Sequence, residues 1–220
     1  MAYGLYNGDI RPEKGRSLIT FPEDYVVVDI ETTGLSPQYN EIIELSAIRY
    51  SGGYKSAEYT TLVRPDYDVS PFITDLTGIT NEMLEDAPKI KNCLGEFSDF
   101  VGSSIVVGYN VNFDVNFIYD NFERWLGESF TNDFVDVMRI AKKELPALER
   151  HRQIDIADFF GIEFDRAHRA LDDCETCNCC FTALARHITA RGKTLEEFCK
   201  TFRNNSPGVC ACRKKAYYTD

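Results

Sequence analysis

The chain has 220 residues, a formal net charge of −11, and 44% hydrophobic against 27% charged residues. That balance suits one globular domain with a substantial core, and it excludes a protein that grips long nucleic acid by tracking phosphates with a basic surface. No apolar run approaches the roughly 18 residues of a membrane span and the opening MAYGLYNGDIRPEKG lacks an apolar signal core, so a cytoplasmic protein with no membrane contact is expected.

Residues 1–24 are weakly periodic and read as an N-terminal arm. YVVVDI, from Tyr25 to Ile30, is apolar and β-branched with almost no alternation, as in a strand covered on both faces. IIELSAIRYS from Ile42 and YKSAEYTTLVR from Tyr54 flank Gly52 and Gly53 and predict a hairpin. Residues 71–86 read as short helical turns broken at Gly78, and a helix begins near Pro88 with Leu94, Phe97 and Val101 on one face.

SIVVG, residues 104–108, predicts a second buried strand, followed by a helix over about 113–126. Further helices are expected near 137–145, 152–160, 168–190 and 194–203, broken by Pro146, Gly161 and Gly192. The domain thus spans 25–204, and 205–220 reads as a C-terminal tail. Strands alternating with helices, plus one hairpin, predict an α/β three-layer fold with a mixed central sheet flanked by helices.

VVVDIETTG, residues 26–34, places Asp29 and Glu31 inside what begins as a buried strand. Burying an unpartnered carboxylate costs several kcal/mol, and no Lys or Arg occurs between Arg16 and Arg49. Two residues apart on a strand, the two acids leave one face about 7 Å apart along it. They also lie at the strand's carboxyl end, where open α/β sheets place their ligands.

Asp114 follows the second buried strand in the same way, with no Lys or Arg between Lys91 and Arg124. In AHRALDDCET, His168 precedes Asp172 and Asp173 at the start of a helix. Singly, such acids are helix-start residues favoured by the macrodipole; four carboxylates at element ends beside a histidine are not so easily explained. Hard divalent cations take oxygen ligands of this kind. A pair of them stabilises phosphoryl displacement, for which histidine is a suitable base.

The segments DIETTGL (Asp29–Leu35), LTGIT (Leu76–Thr80), GYNVNFDVNF (Gly108–Phe117) and HRALDD (His168–Asp173) resemble the DEDDh 3′-to-5′ exonucleases. That family includes the proofreading epsilon subunit of bacterial DNA polymerase III and the exonuclease domain of the Gram-positive replicative polymerase. The resemblance runs from about Tyr25 to Leu184 and implies a ribonuclease-H-like fold. It implies two divalent cations, Mg²⁺ or Mn²⁺, held by Asp29, Glu31, Asp114 and Asp173, with His168 as general base; the family pattern selects Asp173 over Asp172.

By the same resemblance, Thr32, Thr33, Leu35, Asn110 and Phe113 hold the terminal nucleotide. Tyr109, where relatives often have histidine, is expected to alter substrate contacts. The implied activity is metal-dependent hydrolysis at a single-stranded or frayed 3′ end, releasing nucleoside 5′-monophosphates, with DNA the favoured substrate and a DNA polymerase a candidate partner. The alternatives are an RNA-trimming exoribonuclease of the same family and a non-catalytic nucleic-acid-binding scaffold.

Arg139, Lys142, Lys143, Arg150 and Arg152 read either as a solvated helix face or as contacts to an incoming strand. Of the eight cysteines, Cys174 and Cys177 share a helix face with Phe181 and are expected to be core thiols. A zinc site joining Cys199, Cys210 and Cys212 to a helical thiol is the sharper alternative.

Overall fold

The computed structural model describes residues 11–163 and 169–205. Six strands form one sheet: β1 (Ser17–Leu18), β2 (Asp24–Thr32), β3 (Ile42–Ser51), β4 (Tyr54–Leu62), β5 (Val106–Gly108) and β6 (Phe134–Asp136). Their order is β1-β6-β5-β2-β3-β4. Pairing is parallel from β1 through β6 and β5 to β2, and antiparallel along β2-β3-β4, so the sheet is mixed as expected.

β2 is central because its sequence tolerates burial on both faces. Val26, Val28 and Ile30 pack into one core with α3 (Ile90–Val101) and α4 (Asn112–Trp125). Tyr25 and Val27 enter the opposite core with α5 (Val137–Glu144), α6 (Gln153–Phe160) and α7 (Ala170–Ala190). Each buried valine contributes about 1.5–3 kcal/mol. The period of two then puts Asp29 and Glu31 on the α7 side and leaves the α4 side wholly apolar up to Ile30.

The remaining helices are α1 (Pro71–Thr77), α2 (Asn81–Leu84) and α8 (Leu195–Asn205). α1 starts at Ser70, whose hydroxyl accepts from the Ile73 N–H, and stops at Gly78, whose φ of 70° closes the helix in the left-handed region. α5 starts at Asp136, which caps the Met138 N–H at 3.0 Å.

Residues 11–24, read from the sequence as an arm, lie against the fold and contribute strand β1. Arg11 makes a two-pronged pair with Asp120 at 2.6 and 2.7 Å, and Lys14 reaches Asn112 and Asn116 at 2.6 and 2.5 Å. Strands β1 and β6 are two and three residues long, too short for a period of two to register in the sequence.

Gly108 ends β5 where the backbone passes β2. A Cβ there would stand 2.9 Å from the Val28 carbonyl oxygen and 2.5 Å from Val111 Cγ2. Gly108→Ala is therefore expected to cost about 1–3 kcal/mol by overpacking, read as a lowered urea midpoint; an unchanged midpoint would contradict this close approach.

Candidate active site

Asp29, Glu31 and Asp173 converge, each offering a carboxylate oxygen within 4.8 Å of those of the other two. The first two arrive from one face of β2 and the third from the first turn of α7, packed on that face. Asp114 lies outside this three-residue group. It sits in the first turn of α4, 4% exposed, and accepts the Ile30 N–H at 3.2 Å. His168 lies outside the described residues.

The electrostatics are those of like charges forced together out of water. Burial pushes the Asp29 carboxyl well above its usual range, and Asp114, Asp173, Glu31 and Glu44 push it further. Asp114 is raised mainly by burial, against backbone N–H donors including that of Ile30. Burial first, then Asp173, Glu44 and Asp114, raise Glu31 to about 8, while Arg169 acts in the opposite direction.

Neighbouring groups set the positions of these acids. Gln153 Nε2 donates to the Asp173 carbonyl at 3.0 Å and to its carboxylate Oδ1 at 3.2 Å. Glu44, 1% exposed and directly opposite Glu31 in the β2-β3 register, binds the Arg169 guanidinium at 2.6–3.2 Å. Asp136 accepts the Asn110 N–H at 3.0 Å, holding Asn110 at φ 57°, a left-handed turn that asparagine tolerates. That turn feeds directly into α4 and Asp114.

Sequence reasoning missed Gln153, Arg169, Asp136 and Glu44. Glu44 alone carried a readable signal, a charge within the apolar run IIELSAI. The others depend on partners 20 or more residues away.

The residues expected to hold a nucleotide lie around the same edge. Thr32 Oγ1 donates to the Gly34 carbonyl at 2.7 Å, and Thr33 exchanges hydrogen bonds with Glu41 through its backbone N–H and its hydroxyl oxygen. Leu35 is 86% exposed. Phe113 packs on Phe117 with ring centroids 4.9 Å apart. Tyr109, expected to alter substrate contacts, packs against the α6–α7 core and donates its hydroxyl to the His151 carbonyl at 2.7 Å.

Of the basic candidates for strand contact, Arg152 binds Asp155 at 2.7 Å, Lys143 sits over the Phe202 ring and Arg139 hydrogen-bonds Ser17. Cys174, Cys177 and Cys180 are buried core thiols, as expected for the first two. Cys210 and Cys212 lie outside the described residues, and among the described residues no cysteine joins a metal-ligating group. Also among the described residues, no helix is long and apolar enough to cross a membrane.

Residues 26–179 match the family model described as Exonuclease. The chain belongs to this exonuclease family. It is 40% identical over 149 residues to the DNA polymerase III subunit epsilon of Aquifex aeolicus, covering 68% of this chain and 74% of that one. It is 37% identical over 155 residues to the PolC-type DNA polymerase III of Oceanobacillus iheyensis, covering 70% of this chain but spanning 11% of that relative. Escherichia coli exonuclease I in complex with a dA16 oligonucleotide shares the fold, with a TM-score of 0.68 at 21% identity over 83% of this chain and 44% of that one. The expected ribonuclease-H-like fold and the expected enzyme class, a 3′-to-5′ exonuclease, are met.

The raised acids give this exonuclease a definite stability profile without metal. Glu31 folded keeps a proton up to about 8 that the unfolded chain releases near 4.5. The folded state therefore binds more protons between those values, and stability falls as pH rises through the window; Asp29 and Asp114 act in the same direction. Melting in EDTA should show a midpoint that declines from about pH 5 to about pH 8, with a shallower decline in Glu31→Gln. A midpoint that rises across the window, or an unchanged slope in the variant, would refute this origin.

Proposed function

We propose that this exonuclease domain removes nucleotides from a single-stranded or frayed DNA 3′ end, releases nucleoside 5′-monophosphates, and works in the cytoplasm beside a DNA polymerase. The observation that carries this reading is the meeting of Asp29, Glu31 and Asp173 within ligand-sharing distance, with buried Asp114 alongside. The names of the Aquifex and Oceanobacillus relatives, both DNA polymerase III proteins, support the DNA substrate and the polymerase partner.

The donor set is all oxygen and strongly anionic, which fits Mg²⁺ or Mn²⁺ and not soft metals. Asp29, Glu31, Asp114 and Asp173 would hold two such ions, which when bound supply the positive charge that stabilises the attacking and leaving oxygens of an in-line displacement.

The chain's own residues do the rest. Thr33, fixed by Glu41, and Thr32 shape the loop against which the terminal sugar rests. Leu35 offers the terminal base an exposed apolar surface, and Asn110 and Phe113 bound the site from the α4 side. His168 takes the proton from the attacking water. A grip on a few nucleotides needs no long basic groove, which accords with the chain's net charge of −11.

A 5′-labelled DNA strand should shorten from its 3′ end in Mg²⁺ or Mn²⁺, and faster than a matched RNA strand; faster RNA digestion would favour the exoribonuclease reading. Asp173→Asn should lower the rate at least ~100-fold, the equivalent of about 2.7 kcal/mol of transition-state stabilisation, and undiminished digestion would overturn the assignment. With His168 as base, the rate should climb between about pH 6 and 8, around the ordinary imidazole value near 6.5. His168→Ala should lose that rise.

A further inference from the structure

Glu44 is a buried acid of this region to which the metal reading gives no work. It lies on β3 across from Glu31, on the same face of the sheet, and is 1% exposed. Its carboxylate accepts from Arg169 Nη2 at 2.6 Å and Nε at 3.1 and 3.2 Å, and from the Ala170 backbone N–H at 3.0 Å. Every one of these donors belongs to the two residues at the start of α7. Asp173 follows within the same turn, its N–H donating to the Arg169 carbonyl at 2.9 Å.

The Arg169 side chain is 39% exposed, so its guanidinium is not confined by packing alone. Its charge already reaches Glu31: burial pushes that carboxyl up and Arg169 pulls it back. A guanidinium released beside Glu31 would find that carboxylate as a two-pronged acceptor, with the Asp29 and Asp173 oxygens within 4.8 Å of it. It would then neutralise the charge that draws a divalent ion and cover the ligand oxygens.

We propose that Glu44 is a positioning residue that ties the Arg169 guanidinium to β3 and so keeps it out of the Asp29–Glu31–Asp173 cluster. The proposal rests on the metal-site reading of that cluster. Charge balance explains why the tie is an ion pair rather than a neutral hydrogen bond: a buried glutamate matches the guanidinium in charge and geometry, and a glutamine would leave the cation free to seek the acids.

The test is calorimetric titration of Mn²⁺ into the metal-free full-length protein, needing no substrate. Glu44→Gln should weaken Mn²⁺ binding on the order of tenfold or more, the range set by outer-shell residues. The double variant Glu44→Gln/Arg169→Gln, with the cation removed, should recover most of that loss. A double variant as weak as Glu44→Gln, or a Glu44→Gln protein that binds like wild type, would overturn the proposal.

Should Glu44→Gln fail to fold, Arg169→Gln alone decides. It should bind Mn²⁺ at least as tightly as wild type if Arg169 is a cation held away, and a tenfold loss would mean it is only an anchor, overturning the proposal. Asp173→Asn serves as the control for the underlying reading: if it keeps wild-type Mn²⁺ affinity, the metal-site reading fails and the proposal with it. If it loses affinity while Glu44→Gln does not, the proposal alone fails.

Discussion

Mutual repulsion among carboxylates is the constraint around which this molecule is arranged. Asp29, Glu31 and Asp173, half-buried, and the buried Asp114 are brought together where water screens them poorly, and folding must supply the work of doing so. That work comes from the two apolar layers on either side of β2, which bury Val26, Val27 and Val28 almost completely. The acids occupy the end of the strand, where the cores stop and a ligand can enter. The same placement makes the site a reservoir of unfavourable charge that a bound cation would relieve.

The groups around the acids divide the labour of holding them. Gln153 fixes Asp173 from α6, Glu44 fixes the entry to α7 from β3, and Asp136 fixes the left-handed turn at Asn110 ahead of α4. Each tie comes from a different element, so Asp173 and the turn that carries Asp114 are held by the framework instead of by fellow acids. Cys174, Cys177 and Cys180 fill the space beneath with small side chains, letting α7 approach the sheet closely.

Much of the site was legible because its members break local rules. Charges at the end of an unbroken β-branched run, and an acid at the start of α4 with no Lys or Arg between Lys91 and Arg124, stand out in a linear reading. β1 and β6 did not stand out, since two or three residues carry no period. The packing of Tyr109 was not legible because its partner, the His151 carbonyl, is 42 residues away, and nothing in a motif says which way a ring turns. Arg169 adjoins a recognised motif, yet its role depends on Glu44, 125 residues earlier. Pairings of that span belong to the fold and have no local trace.

The alternation along β2 has a further consequence. Its valines and its acids share one strand and one parity: Val28 must face α4 for Asp29 to face α7. A single-residue insertion or deletion between Tyr25 and Asp29 would break that phase, either inverting the valines or turning Asp29 and Glu31 into the apolar layer above α4. Hydrophobic packing and carboxylate geometry are therefore inherited as one unit, and this strand can vary by substitution but not by length.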